Sequence, residues 1–324
     1  MSKGRQDAAG TFPASAYRVV DAHVHVIEHI AGMGRRGESR AVGDGKVRWV
    51  TGEVDTIIPA GWGTTSFTHD ALVKVLDEHG VSQAVMVQGS YYGFCNDYTF
   101  EAQQRHAGRL FGMGTFDPFV FMARPIMDRL AGAFQFRGFK FEVSRSYGLM
   151  GFLPELRLDG EIMRPVWRYA SEHGLVISLD LGTFGEPSFQ VEALARIAAE
   201  YSSVRFVIEH LFAPGPGRFD EVRTALGPFA RLQNVFVTLA SVPSSRHEAY
   251  PFPSACRYAL IARDAFGAGR ILWGSDLPSV AVSTPYRQLI DYLAESGQFQ
   301  DAELRGIYGE NAIRVYGLDD KQPR

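Results

Sequence analysis

The sequence predicts a single-domain α/β protein with the (β/α)8 TIM-barrel architecture. Eight short runs of apolar, β-branched or aromatic residues recur along the 324 residues. Most of these runs begin about 30 residues apart, which is the length that a strand, a helix and two loops need together. Since no shift in composition divides the chain, we expect one barrel rather than two domains.

Each predicted strand is a short run bounded by polar or turn-forming residues. In chain order the runs are VVDAHVHV from Val19, QAVMVQ from Gln83, FGMGTF from Phe111, GFKFEV from Gly138, LVISLD from Leu175, VRFVIEH from Val204, VFVTLA from Val235 and ILWGSD from Ile271.

Helical periodicity fills the segments between the runs. Val191, Leu194, Ile197 and Ala198 have the spacing of one buried helical stripe, and Gly80 stands where a helix C-cap is expected. An open doubly wound sheet is the rival fold. It predicts a glycine-rich phosphate-binding turn after the first strand, and His-Val-His stands there instead.

The predicted barrel spans residues 19–318, between a flexible N-terminal tail at 1–18 and a C-terminal tail at 319–324. Residues 27–68 are rich in glycine and lack a clear period, which predicts a long loop or lid after the first strand. Such a loop lies over the face where barrels carry their active sites, although a flexible ornament is the alternative interpretation.

Composition excludes several classes of function. Thirty-three basic and 36 acidic residues leave a net charge of −3, so no basic field exists for nucleic acid or an anionic membrane. No apolar run approaches the roughly 18 residues of a membrane span, and the N-terminus lacks the apolar stretch of a secretory signal. Cys95 and Cys256 supply neither a disulfide framework nor a cysteine zinc motif. We expect a cytoplasmic enzyme with a small-molecule substrate, and self-association into a homo-oligomer stays open.

Two histidines at the end of the first predicted strand indicate a metal site. His23 and His25 are two residues apart, so they share one face of the strand. Neutral imidazoles placed in this way can bind one divalent ion. Asp276 ends the eighth strand, across the seam of a closed barrel, where it can ligate a metal or accept a proton from water. A turn-forming aspartate before Leu-Pro is the structural alternative.

Four further polar residues end or line other predicted strands. His210 ends the sixth strand, where it can orient the nucleophile, polarise a substrate oxygen or shuttle a proton. Glu209, one position earlier, is expected to face the opposite side and to be structural. Lys140 shares a face with Glu142, and it either pairs with that carboxylate or binds a carboxylate of the substrate.

The turn after the second strand, VQGSYYGFCNDY, predicts polar groups at the barrel mouth. Gln88, Tyr92 and Asn96 are the candidate substrate-binding residues there, and Arg145 is a candidate anchor for a carboxylate. An ordinary solvated loop has a similar composition. The other histidines have no such context and are expected to be surface or packing residues: His29, His69, His79, His106, His173 and His247.

Taken in order, these residues resemble the amidohydrolase superfamily. The similarity is to the amidohydrolase-related branch that holds pyrone-dicarboxylate lactonases, sugar lactonases and non-oxidative decarboxylases. The matching pieces are DAHVH at 21–25, VQGSYYGFCND at 87–97, GFKFE at 138–142, VIEHL at 207–211, WGSDLP at 273–278 and NAIRVYG at 311–317. The resemblance implies a metal, or its vacant site, near His23 and His25, and catalytic roles for His210 and Asp276.

One position departs from the pattern of the metal-dependent members. Many of them end strand five with a histidine in a His-x-Gly context, whereas this chain has Asp180 in SLDLG. A carboxylate can replace imidazole as a metal ligand. Equally, Asp180 can accept a hydrogen bond in a member that works without metal, and the sequence leaves both alternatives open.

The leading hypothesis is a metal-assisted hydrolase of a small cyclic ester or amide that bears carboxylate or phenolic groups. In it His23, His25, Asp180 and Asp276 hold one divalent ion, zinc or manganese, while Asp276 acts as ligand or general base and His210 stabilises the oxyanion. A non-oxidative decarboxylase of an aromatic or unsaturated acid is the alternative, with Asp276 or His210 protonating carbon. A binding protein without activity is the third interpretation.

Overall fold

The computed structural model describes residues 16–318, and it confirms the predicted α/β architecture. The proposed tails fall almost wholly outside the described residues, so the division into tail, barrel and tail stays a prediction. Twelve strands occur in residues 16–318: β1 (Val19–Val24), β2 (Met33–Gly34), β3 (Gly37–Gly43), β4 (Lys46–Trp49), β5 (Val54–Thr56), β6 (Val81–Val87), β7 (Leu110–Met113), β8 (Gly138–Glu142), β9 (Val176–Asp180), β10 (Arg205–Ile208), β11 (Val235–Thr238) and β12 (Ile271–Leu272).

Helices follow the barrel strands, as the βα repeat predicts. Within the same range they are α1 (His69–Glu78), α2 (Asn96–Arg105), α3 (Ala123–Met127), α4 (Arg164–His173), α5 (Val191–Glu200), α6 (Phe219–Leu226), α7 (Pro253–Phe266), α8 (Tyr286–Glu295), α9 (Asp301–Arg305) and α10 (Asn311–Tyr316). None of these helices has the length and apolarity needed to cross a membrane.

Eight parallel strands form the centre of the fold. One ladder has the order β1-β6-β7, and a second has the order β8-β9-β10-β11-β12. Backbone hydrogen bonds connect the two ladders at both seams: Lys140 N donates to Gly114 O at 2.8 Å, and His25 N donates to Leu277 O at 2.9 Å. The first and last strands therefore lie side by side, as in a (β/α)8 barrel.

Burial explains why the strands were readable from the sequence. All five residues of β9 are buried, because a barrel strand is covered by side chains inside and by helices outside. In α5 the predicted stripe of Val191, Leu194, Ile197 and Ala198 is buried. Gly80 follows α1 with a φ of 71°, which confirms its predicted role at the helix end.

The long connection after β1 is not the structureless loop that its composition predicts. Its strands β2 to β5 form a four-stranded antiparallel sheet in sequential order. Asp44 and Gly45, with φ values of 52° and 70°, make the tight turn between β3 and β4. A Cβ on Gly45 would lie 2.2 Å from the Ile58 carbonyl oxygen. The turn therefore requires glycine at position 45. The strands of this sheet are too short to show a clear alternation of apolar and polar residues.

Candidate active site

A cavity of about 940 Å³ opens at the carboxyl ends of the barrel strands. One wall comes from the sheet formed by β2 to β5, so the inserted segment lies over this face as expected. Charged and ionisable residues from the barrel line the rest of it, namely His23, His25, Lys140, Glu142, Asp180, His210 and Asp276. This is the face where barrel enzymes place their catalytic groups.

His23, His25 and Asp276 form a compact cluster in the cavity. The Asp276 Oδ1 atom lies 3.1 Å from His25 Nε2 and 3.6 Å from His23 Nε2. The Ser241 hydroxyl donates to the other carboxylate oxygen. Asp276 has a φ of 71° and its backbone N–H donates to His23 O at 2.8 Å. The backbone is thus held in an uncommon conformation that turns the carboxylate toward both imidazoles.

Asp21 fixes the two chain segments that carry this cluster. It is fully buried and accepts hydrogen bonds from the backbone N–H groups of His23 (3.2 Å) and Ser275 (2.9 Å), and from the Tyr286 hydroxyl (2.9 Å). Burial raises the pKa of Asp21 to about 6, although these donors oppose the shift. Asp21 is therefore a positioning residue, which the sequence pattern did not reveal.

Glu209 corrects an expectation from strand alternation. It faces the barrel interior, where its Oε2 atom accepts from His23 Nδ1 at 2.7 Å and from the Thr238 hydroxyl at 2.6 Å. Ser178 donates to Oε1. Alternation fails because β10 ends at Ile208 and His210 has a φ of 58°, so Glu209 and His210 both turn inward. A carboxylate on Nδ1 leaves Nε2 of His23 free as a ligand atom.

His210 lies beside the cluster and is oriented by the backbone. Its Nδ1 atom donates to Ala240 O at 2.9 Å, and its ring centroid is 4.7 Å from that of His23. Burial lowers the pKa of His210, but the carboxylates of Asp276, Asp180 and Glu209 outweigh burial and raise it. The remaining nitrogen, Nε2, is available to a molecule in the cavity as a proton donor.

The donor atoms of the cluster fit a divalent metal ion. Burial lowers the pKa of both His23 and His25, which favours the neutral imidazoles that metals bind. Burial would raise the pKa of Asp276, yet the hydrogen bond from His25 and the nearby imidazoles lower it, so the carboxylate is ionised. The buried Nε2 atom of His23 has no hydrogen-bond partner among residues 16–318. Three ligand atoms within 4.8 Å of one another, with room for water, match an open zinc-type site.

Asp180 lies in the same cavity but outside this group of ligand atoms. Its Oδ1 atom accepts from the backbone N–H of Gly182 at 2.8 Å. Its charge contributes to the raised pKa values of His210 and Glu142. Of the four expected metal ligands, this geometry brings together three, His23, His25 and Asp276. Asp180 instead accepts a hydrogen bond within the turn that follows it.

Lys140 is a buried cation that points into the cavity, with a relative exposure of 2%. Its charge lowers the pKa of Glu142, although the two side chains form no direct salt bridge among the described residues. Glu142 also accepts a hydrogen bond from the backbone N–H of Tyr91 at 3.1 Å, and burial raises its pKa in spite of Lys140 and Tyr91. Of the two interpretations of Lys140, the pairing with Glu142 is thus present as an electrostatic interaction without a direct salt bridge, and the binding of a substrate carboxylate stays a prediction.

The other predicted substrate-binding residues separate into two groups. Tyr92 lines the cavity, with its ring 4.8 Å from that of His25. Gln88 is fully buried and donates to Val26 O at 2.7 Å, while Asn96 exchanges two hydrogen bonds with the backbone of Thr115. Arg145 is exposed and does not line the cavity. Asn96 and Arg145 hold or flank loops, whereas Gln88 lies against His25, whose pKa its side chain raises.

Three arginines in the cavity wall were not predicted from the sequence. Arg35 and Arg36 come from the segment between β2 and β3, and Arg246 comes from the connection after β11. Arg36 pairs with Asp55 of β5 and lies over the ring of Trp49, which fixes it within the inserted sheet. The Arg-Arg pair in GMGRRGE was the available signal, whereas Arg246 lies in no recognisable pattern.

The fold and the site together define a barrel enzyme with a metal-competent cluster at the strand ends. The amidohydrolase family model matches residues 20–318, so the chain belongs to the amidohydrolase family. The resemblance stated from the sequence is thereby confirmed.

Individual relatives share the fold or part of the sequence. The L-fucono-1,5-lactonase of Burkholderia ambifaria is 30% identical over 183 residues, which are 53% of this chain and 61% of the relative. The match thus spans less than two thirds of that protein. An amidohydrolase from Burkholderia multivorans with bound zinc has 18% identity and a TM-score of 0.68, covering 93% of this chain and 100% of its own. A probable 2-pyrone-4,6-dicarboxylic acid hydrolase from Acinetobacter baumannii, with citric acid bound, has 18% identity and a TM-score of 0.65, covering 93% and 99%.

Proposed function

We propose that this protein hydrolyses a small lactone, or a related cyclic amide, that bears carboxylate or phenolic groups. The observation that carries the proposal is the convergence of His23, His25 and Asp276 beside His210 in one cavity. The similarity to a protein named L-fucono-1,5-lactonase supports lactone hydrolysis, as does the fold shared with a probable pyrone-dicarboxylic acid hydrolase. A cytoplasmic location stays a prediction from the sequence.

His23, His25 and Asp276 would hold the divalent ion, and zinc or manganese fits their imidazole and carboxylate donors. The zinc in the related Burkholderia multivorans structure supports zinc. When bound, such an ion polarises a carbonyl oxygen and lowers the pKa of water. Glu209 keeps the His23 ring in the orientation that the ion requires.

Asp276 and His210 divide the proton transfers of ester hydrolysis. The Asp276 carboxylate, ionised at neutral pH, accepts a proton as water attacks the lactone carbonyl carbon. His210, whose raised pKa favours its protonated form, stabilises the oxyanion and donates a proton to the ring oxygen when the carbon–oxygen bond breaks. The product is the open-chain hydroxy acid.

Lys140 and Tyr92 are proposed to bind the acidic substituent of the substrate. A buried ammonium group is costly unless an anionic partner bonds to it directly, and Glu142 interacts with Lys140 without a direct salt bridge. A substrate carboxylate at this position would supply that partner. Arg35 and Arg246, on the cavity wall, can add contacts to a second acidic group.

A substrate panel tests the reaction class. Purified protein is incubated with sugar lactones, pyrone carboxylates and aromatic acids, while proton release and carbon dioxide are measured. We expect proton release with at least one carboxylated lactone and no carbon dioxide from any substrate. Carbon dioxide release without lactone opening would instead establish a decarboxylase.

Replacing Lys140 with methionine should weaken substrate recognition, because it removes the charge and keeps an unbranched side chain only one atom shorter. We expect kcat/KM to fall about 10- to 100-fold, because a hydrogen bond to a charged group contributes roughly 1.5–3 kcal/mol. Steady-state kinetics with the best lactone provide the measurement. Lys74→Met, on the exposed face of α1, is the matched control, and equal kcat/KM values for both variants would remove Lys140 from substrate binding.

Replacing Asp180 with asparagine tests whether it is a metal ligand. Because Asp180 lies outside the three-atom cluster, we expect the variant to retain as much zinc as the wild type. His25→Ala should lose the zinc of the central cluster and serves as the comparison. Metal content is measured on untagged protein, and loss of zinc from Asp180→Asn as large as that from His25→Ala would restore Asp180 to the ligand set.

A further inference from the structure

A second group of potential metal ligands lies outside the cavity, where the start of α1 meets the end of α2. His69 and Asp70 are the first two residues of α1, and His106 is the residue that caps the end of α2. Their ligand atoms lie within 4.8 Å of one another. We propose that His69, Asp70 and His106 form a second site for a transition-metal dication, with zinc as the ion that fits these donors best.

The three ligand atoms form an almost equilateral triangle. His69 Nδ1 is 3.1 Å from Asp70 Oδ1, His106 Nε2 is 3.0 Å from the same oxygen, and the two nitrogens are 3.0 Å apart. An ion at the usual zinc distance of about 2.0–2.1 Å from each atom would lie roughly 1 Å above this triangle. The fourth tetrahedral position then belongs to water.

Hydrogen bonds alone leave one of the three contacts unfavourable. Each nitrogen carries at most one hydrogen at that atom. If both nitrogens donate to the Asp70 carboxylate, the two N–H groups, whose nitrogens are 3.0 Å apart, repel each other. If only one nitrogen donates, the other presents its lone pair to the carboxylate oxygen. A single cation contacts three lone pairs at once, so the geometry favours a metal over a hydrogen-bonded network.

The surroundings hold His69 in place and leave an entry path at Asp70. The His69 side chain is 5% exposed, its ring centroid is 5.2 Å from that of Tyr98, and its backbone N–H donates to the Tyr98 hydroxyl at 3.2 Å. The His106 side chain is 20% exposed and the Asp70 side chain 72%. An ion and its water can therefore arrive from the solvent side onto a largely preformed pair of imidazoles.

Counting zinc ions per chain tests the proposal independently of catalysis. Untagged full-length protein is stripped with a chelator and dialysed against buffered Zn²⁺, both as wild type and as the His25→Ala variant. We expect His106→Ala to bind one ion fewer than its parent in each background. The control His29→Ala, at an exposed histidine, should bind as many ions as its parent. Catalytic turnover should be unchanged in His106→Ala, because the second site is outside the cavity.

Two further measurements report on the site in the His25→Ala background. Saturating Zn²⁺ should raise the Tm, since an ion between α1 and α2 stabilises only the folded state, and His106→Ala should abolish that rise. Co²⁺ should give the visible absorption of a four-coordinate site, which the same substitution removes. If His106→Ala does not fold, Asp70→Asn at the exposed ligand is expected to weaken zinc binding in the same assays. Equal zinc content in parent and variant across both backgrounds would overturn the proposal.

Discussion

Asp276→Asn is expected to lower kcat by about 10²–10⁴-fold, the usual contribution of general acid–base catalysis. The substitution keeps the size of the side chain and its contact with Ser241, but removes the charge that accepts a proton and binds the metal in the proposed mechanism. Single-turnover and steady-state kinetics with the best lactone measure the effect, and thermal unfolding checks the fold.

A matched control separates this effect from a general loss of charge. Asp77→Asn removes an exposed carboxylate of α1 that pairs with Arg109, away from the cavity, and should leave kcat unchanged. Turnover of Asp276→Asn close to that of the control would exclude Asp276 from the mechanism.

His210→Asn should lower kcat by at least about 10²-fold, because it removes Nε2, the proton donor of the proposed mechanism. The asparagine amide can still donate to Ala240 O in place of Nδ1, so the local turn should be preserved. We expect KM to change much less than kcat, since His210 acts mainly on charge that develops in the transition state.

His29→Asn provides the comparison for this second substitution. His29 is exposed and lies beyond β1, so its replacement should leave both kcat and KM near the wild-type values. A drop confined to KM in His210→Asn, with kcat retained, would assign His210 to substrate binding rather than to proton transfer.

The barrel was predictable because its signals are local. All eight strands fall on the apolar runs, since burial on both faces requires continuous apolar sequence. The inserted sheet was not predictable in the same way. Strands of two to seven residues with one solvent-exposed face show little alternation of apolar and polar residues. The Asp-Gly turn between β3 and β4 could not be distinguished from the other glycine-containing segments nearby.

Side-chain direction was harder to predict than strand position. His23, His25 and Asp276 meet as expected, because strand ends fix them. Glu209 was assigned to the wrong side, since positive φ values from His210 onward break the alternation. The contact between His69 and His106 joins residues 37 positions apart on two helices, and no local pattern reports such a contact.

The seam between β1 and the segment after β12 has a consequence for biosynthesis. His25 and Asp276, which contact each other across this seam, are 251 residues apart in the chain. A nascent polypeptide therefore carries both histidines early but gains the carboxylate only after nearly the whole chain has been made. In the proposed mechanism, metal binding and turnover at His23, His25 and Asp276 require the first and last strands to be joined, so a truncated translation product would be inactive.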